Sequence, residues 1–341
     1  MRIKEIKKLI IFGGSYILSE FAVYIAKNSS LDLVVFSSER HLNGISSIEG
    51  KTLKEVLAKN KIRYFNSDDI NSDKNLKSEI AGNVLGIAFG AVWIFNKETA
   101  DLFPKNQLLD FMGIDLPRYR GGAHYTWQIL HGNRKGCANL QIIHGGLKTF
   151  HKGEILKRRD FKLPAQLQKP KDYFDFIGKQ EIDFLKDFLS EVKKGKEFKL
   201  KNLKEEHSSY YPFLNTKING FVDWSWVGRD IFLFINAFDD PYDGASTFLG
   251  QERVALKDVE LLKAEEKYHP FSSGLVIRKN DGGIFVATIG NLLYIKKVLD
   301  KENKNIINKI ELGDRLLTPN KFLEEARNSK IIYSPKGSQK I

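Results

Sequence analysis

Cysteine is almost absent from this chain: Cys137 is the single one in 341 residues. An internal disulfide is therefore excluded, and so is a cysteine-based metal cluster. Long apolar runs are missing too, and none approaches the ~20 residues that a membrane-spanning helix needs. Leu9-Ile-Ile-Phe-Gly-Gly14 is too short and too glycine-broken for a signal-peptide core, and no small-residue cleavage site follows it. These absences point to the cytoplasm and away from a membrane. Long basic tracts are lacking as well, the longest being Lys157-Arg158-Arg159. Internal repeats are not found.

What the chain has is length, an ordinary 42% hydrophobic content and a formal charge of +12. Its length exceeds the roughly 250–300 residues at which a single core stops growing, so two domains are expected. The isoelectric point of about 9.4 fits a surface of scattered lysines. It equally fits attraction to phosphate, whether in a nucleotide, an RNA or a phosphorylated cofactor.

The first half alternates short apolar runs with helical patterns. Leu9 to Phe12, Leu33 to Phe36 and Val84 to Phe89 read as buried strands. Ser15 to Ala26 reads as a helix with Ile17, Phe21, Tyr24 and Ile25 on one face. Thr52 to Lys59 reads as another, opened by a capping box of Thr52 and Glu55. Nearly continuous apolar strands between helices imply a parallel sheet covered on both faces. Ligands on such sheets bind outside the carboxyl ends of the strands. Gly13-Gly14-Ser15 is not a dinucleotide fingerprint and reads as a tight turn before a helix.

Pro164 and Pro170 interrupt this pattern. Phe174 to Val192 then reads as a long amphipathic helix, with Phe176, Ile177, Ile182, Leu185, Phe188 and Leu189 on one side. Lys193 to Glu206 is lysine-rich and reads as a linker or exposed loop. From about Leu249, short β-type runs separated by glycine and asparagine suggest a small antiparallel module. Its apolar residues leave packing within the chain and a homodimer both open.

Two segments carry a more specific signal. Asp115-Leu-Pro-Arg-Tyr-Arg-Gly-Gly-Ala-His124 is a rigid loop with two cations, Arg118 and Arg120, followed by glycines that allow close backbone approach. A short helix containing Trp127 follows. Further on come Val222-Asp-Trp224 and Pro241-Tyr-Asp-Gly-Ala245; Asp223 is placed to cap the next helix, and Pro241 with Gly244 to build a turn.

On Leu116-Pro-Arg-Tyr-Arg-Gly121, Trp127-Gln-Ile129, Val222-Asp-Trp224 and Pro241 to Ala245, the chain resembles the formyltransferase family, which includes methionyl-tRNA formyltransferase and the sugar N-formyltransferases. The resemblance implies a Rossmann-like, mostly parallel sheet followed by a small C-terminal β-barrel-like module of the oligonucleotide-binding type. It implies a first domain over residues 1–205, a connecting segment over 206–250 and the β module over 251–341. It also implies formyltetrahydrofolate as donor, held near Gly90, Ala91, Val92 and Trp93, with Arg118, Tyr119, Arg120 and Gly121 shaping the acceptor site.

The family's chemistry uses an Asn for the oxyanion, a His for the amine proton and an Asp to orient that His. In this chain those positions fall on Asp110, Met112 and His151. Met112 moves no proton and reads as packing. A carboxylate at Asp110 repels an oxyanion unless it is protonated. Asp110 and His151 would still face one centre, as an acid–base pair with its members exchanged, and His124 and His144 lie near enough to contribute. The implied function is formyl transfer to the amine of a nucleotide-linked amino sugar. The alternatives are formylation of methionyl-tRNA and a ligand-binding homologue that has lost turnover.

Overall fold

The computed structural model describes residues 1–3, 5–47, 49–146, 152–264 and 266–340. Its first half forms a seven-stranded sheet. The strands are β1 (Lys8–Gly13), β2 (Asp32–Ser37), β3 (Arg63–Asn66), β4 (Val84–Phe89), β5 (Leu108–Met112), β6 (Lys135–Ile142) and β7 (Ile155–Lys162). They lie in the order β3-β2-β1-β4-β5-β6-β7. The first five run parallel; β6 runs against β5, and β7 against β6.

The continuous apolar runs follow from burial on both faces. Leu9 and Ile11 pack with Phe21, Phe184 and Phe188. Ile10 and Phe12, pointing the other way, pack with Phe95 and Phe103. Alternate side chains of one strand thus enter two separate cores, which leaves no place for a polar residue.

Local rules set the helices. Tyr16–Asn28 starts where the Ser15 hydroxyl accepts the Leu18 N–H at 3.1 Å. Its buried stripe is Leu18, Phe21, Ala22 and Ile25, with Ile17 and Tyr24 only partly covered. The stripe expected from the sequence is therefore rotated slightly from the observed one. Thr52 and Glu55 form the expected capping box before Leu53–Lys59. The long helix runs from Pro170 to Lys193. Pro170 stands in its first turn, where a missing N–H costs nothing. Phe176 and Ile182 lie at the margins of its buried face.

The segment after this helix is largely exposed, as expected, but it is tied down at two points. Phe198 donates its N–H to the Met1 carbonyl at 2.7 Å, and Ile155 and Lys201 exchange backbone hydrogen bonds of 2.8 and 3.0 Å. Phe198 is buried.

The second sheet has six antiparallel strands. They are β8 (Ala245–Leu249), β9 (Glu252–Lys263), β10 (Val276–Asn280), β11 (Gly283–Ala287), β12 (Asn291–Leu299) and β13 (Leu316–Leu317). Their order is β10-β11-β12-β9-β8-β13. The sheet curls over Ile231 and Ile235 of the helix Gly228–Ala237, and its core also takes in Tyr173 and Ile177 of the long helix. Asp223 does not cap that shorter helix, whose N-cap is Val227. It accepts from the Ser225 N–H at 2.9 Å and hydroxyl at 2.6 Å and pairs with Arg327. A C-terminal hairpin, Ile331–Ser334 with Gly337–Lys340, closes the chain.

Candidate active site

Two cavities of about 460 Å³ each are present. One lies among Trp127, Trp226, Phe234 and Leu323, and its charged lining groups, Asp230 and Arg327, are exposed. The other opens outside the carboxyl ends of β4 and β5 and gathers Asp110, Met112, His41, His124 and Gln141. Titratable groups held in a cleft at that end of an open sheet mark the second as the candidate site.

Backbone geometry builds it. Gly13, at φ +100°, ends β1 so close to β4 that an added Cβ would lie 2.4 Å from the Phe89 carbonyl oxygen. Gly121, at φ +107°, passes Tyr211 closely enough that a Cβ would lie 1.9 Å from its carbonyl oxygen. This contact is a short parallel pairing of Arg120–Gly121 with Tyr210–Tyr211. The C-terminal hairpin reaches both sides of the cleft. Ile331 bridges Phe213, and the Pro335 carbonyl accepts the Arg40 N–H at 3.0 Å.

Gly90, Ala91, Val92 and Trp93 all line the cleft, along with Asp110 and Met112. They come together because the parallel strands β4 and β5 end side by side. Asp110 pairs in register with Gln141 of β6. Burial pushes the Asp110 carboxyl up from its ordinary range to about 7. His151 lies outside the described residues.

The arginine loop is arranged differently. Of Arg118, Tyr119, Arg120 and Gly121, Gly121 lines the cleft. Arg120 is buried, and its guanidinium meets both oxygens of Glu205 at 2.7 and 2.8 Å and the Ser208 hydroxyl at 2.7 Å. Tyr119 is buried, with its hydroxyl 3.0 Å from Asn133 Nδ2 and 3.2 Å from His131 Nδ1. Arg118 is half exposed, 3.8 Å from buried Asp115. His144, between the lining residues Ile143 and Gly145, meets Glu154 at 2.6 Å.

Arg40, His41, Gln141 and Gly145 also line the cleft and were not singled out from the sequence. Arg40 and His41 lie three and four residues beyond the carboxyl end of β2, so the strand-end rule could have found them. Burial and the adjacent Arg40 push the His41 imidazole down to about 4. Burial does the same to His124, also to about 4. Both rings are neutral at pH 7. Among the described residues no group of three or more His, Cys, Asp and Glu side chains could hold a metal ion. No described helix is long and apolar enough to cross a membrane.

Residues 215–312 match the family model of the formyl transferase C-terminal domain. A methionyl-tRNA formyltransferase of Clostridium tetani is 24% identical over 319 residues, covering 89% of this chain and 98% of its own. An N-formyltransferase from Helicobacter canadensis, crystallised with folinic acid and dTDP-3-aminofucose, superposes with a TM-score of 0.62 at 17% identity. The match covers 86% of this chain and 99% of that one. A sugar 3N-formyltransferase crystallised with dTDP and 5-N-formyl-THF gives a TM-score of 0.60, also at 17% identity, over 86% and 98% of the two chains. The matched domain, the near full-length relative and the shared two-sheet fold agree with one another and with the two sequence segments: residues 215–312 carry the formyl transferase C-terminal domain, and the chain as a whole is similar to formyltransferases.

Proposed function

We propose that the protein transfers a formyl group from a reduced formyl-folate to the amine of a nucleotide-linked amino sugar. The observation that carries this reading is the cleft itself, which combines an apolar slot with a titratable floor at the sheet's carboxyl end. Ala91, Val92, Trp93, Phe95 and Ile143 offer apolar contact, and Gly90 offers bare backbone for polar edges. That lining suits a planar heterocycle with hydrogen-bonding edges. The bound donor supplies the formyl carbon.

The chain's own groups would do the rest. Asp110 stands where the family has its oxyanion-stabilising Asn. With its carboxyl held up to about 7, it stays protonated in mildly acidic solution and can donate a hydrogen bond to the developing oxyanion. An amide and a neutral carboxyl can each donate a hydrogen bond there; a carboxylate can donate none. Met112 lines the floor with no proton to give. Arg118 is the arginine of the loop left half exposed, and we assign it to the acceptor's phosphates. His151 is retained as a candidate proton carrier.

Turnover decides the matter. Purified protein is mixed with formyltetrahydrofolate and a panel of amino-sugar nucleotides, and mass spectrometry looks for a product heavier by one formyl group. Such a product supports the reading. If donor binds and no acceptor is formylated, the ligand-binding homologue takes its place. The second enzymatic reading, formylation of methionyl-tRNA, draws on the near full-length curated relative and the +12 charge. It predicts tRNA binding that weakens steeply with salt.

A further inference from the structure

We propose that His124 is the base that takes the proton from the attacking amine, replacing the imidazole that relatives carry where this chain has Met112. The inference rests on the transfer reading above.

Two described histidines line the cleft, His41 and His124, and their hydrogen bonds give them opposite capacities. His41 Nε2 sits 2.8 Å from a guanidinium nitrogen of Arg40. A guanidinium only donates, so Nε2 must accept, and its lone pair is already used. The proton then lies on Nδ1, which is sealed from solvent with no partner. His41 has nothing left with which to take a proton.

His124 is the reverse case. Its Nε2 lies 2.9 Å from the Gly121 carbonyl oxygen. A carbonyl only accepts, so Nε2 must carry the proton and Nδ1 the free lone pair. Nδ1 makes no hydrogen bond to any described residue, and the ring lines the cleft. Burial favours the neutral ring, so the acceptor is available at pH 7.

The backbone holds this ring in place at a cost. Ala123, just before it, is left-handed at φ 52°, ψ 40°, which costs a non-glycine residue roughly 1–2 kcal/mol. The surroundings impose this conformation: the Gly122 N–H is bonded to the Tyr211 carbonyl at 2.9 Å, and Gly122 lies against the Phe213 ring. Strain of this kind persists where the structure over-determines a side chain's position. The Gly121 carbonyl that fixes the tautomer belongs to the same tight segment, so one loop both places the ring and orients its lone pair.

The step balances. The amine nitrogen forms a bond to the formyl carbon and gives its proton to His124 Nδ1. The bond from that carbon to the donor's nitrogen breaks, and the imidazolium returns the proton to that nitrogen, leaving neutral His124, a formamide and the deformylated donor.

The test uses the full chain in three arms. In the first, ¹⁵N-histidine NMR, with His124 assigned by its loss in His124→Gln, should show a neutral ring protonated at Nε2 at pH 7. A ring protonated at Nδ1, or at both nitrogens, overturns the proposal. In the second, His124→Gln and His124→Ala should lower kcat by about 10²–10³-fold, with donor affinity, read from Trp93 fluorescence, unchanged. In the third, added imidazole should restore turnover to His124→Ala and leave the parent protein unaffected, which a purely structural loss would not do. If His124→Gln turns over at the parent rate while His151→Gln is inactive and rescued by imidazole, the base is His151 and the assignment falls alone. If the parent protein makes no product, the transfer reading and the assignment fall together.

Discussion

The loop Leu116–Gly121 and the strand β5 lie side by side in the chain and behave in opposite ways. The loop carries the Leu-Pro-x-Tyr-Arg-Gly pattern on which the chain resembles formyltransferases, with Arg118 at the open position, yet its side chains mostly serve the scaffold: Arg120 is spent on Glu205, and Tyr119 on Asn133 and His131. The strand carries Asp110 and Met112 where the resemblance implies an Asn and a His, and both residues line the cleft. A motif match here reports how the site is built. The mismatch beside it bears on what the site does.

The largest effect that would break this comparison is at Gly121. Gly121→Ala puts a Cβ against the Tyr211 carbonyl at a positive φ, and should cost about 3 kcal/mol, read as a lowered midpoint in urea. A variant of parent stability would show that the loop is not structural.

Glu181 comes next. It is buried beside Gly113 and Tyr125, and burial pushes its carboxyl from 4.5 up to about 8. The folded chain therefore holds a proton that the unfolded chain releases. That stabilisation is fully present below pH 4.5 and is lost as pH rises through 8. Glu181→Gln should remove this loss, on the order of a few kcal/mol, and flatten stability against pH over that window.

The Arg120–Glu205 pair should be asymmetric. Arg120→Ala strands a buried network and should cost about 2 kcal/mol. Glu205→Gln, at a carboxylate that is half exposed, should cost under about 1 kcal/mol. Equal costs would mean the pair is not anchored on its arginine side. The smallest effect on stability is expected at Arg118. Arg118→Ala should leave stability within about 0.5 kcal/mol and raise the acceptor KM by about tenfold with kcat unchanged.

Much of the scaffold was legible in the sequence because it obeys local rules. The apolar runs of β1, β2 and β4, the Thr52–Glu55 box and the strands β10 to β12 are signalled within a few residues of themselves. Gly90 to Trp93 and Asp110 come together because adjacent parallel strands end together, which follows from strand order. What stayed hidden depends on distance. Nothing near Arg120 announces Glu205, 85 residues on. Asp223 has the chemistry of a helix cap, but Ser225 and Arg327 claim it. β9 escaped because its alternation is broken at Asp258, which has φ 57°. The sequence did carry a trace of the His124 assignment, an imidazole directly after Gly-Gly-Ala on the site loop. Its tautomer needed the Gly121 carbonyl.

The proposed transfer requires that Asp110 preserve a hydrogen-bond donor in the cleft rather than destroy the site. The most direct test is kcat against pH for the parent protein and Asp110→Asn, with donor and a competent acceptor saturating. The parent should lose activity as pH rises through about 7, as the carboxyl gives up its proton. Asp110→Asn, whose amide donates at every pH, should stay active and lack that decline. An Asp110→Asn variant that is inactive across the range, with a parent most active above pH 7, would show that the carboxylate itself is required and would contradict the account.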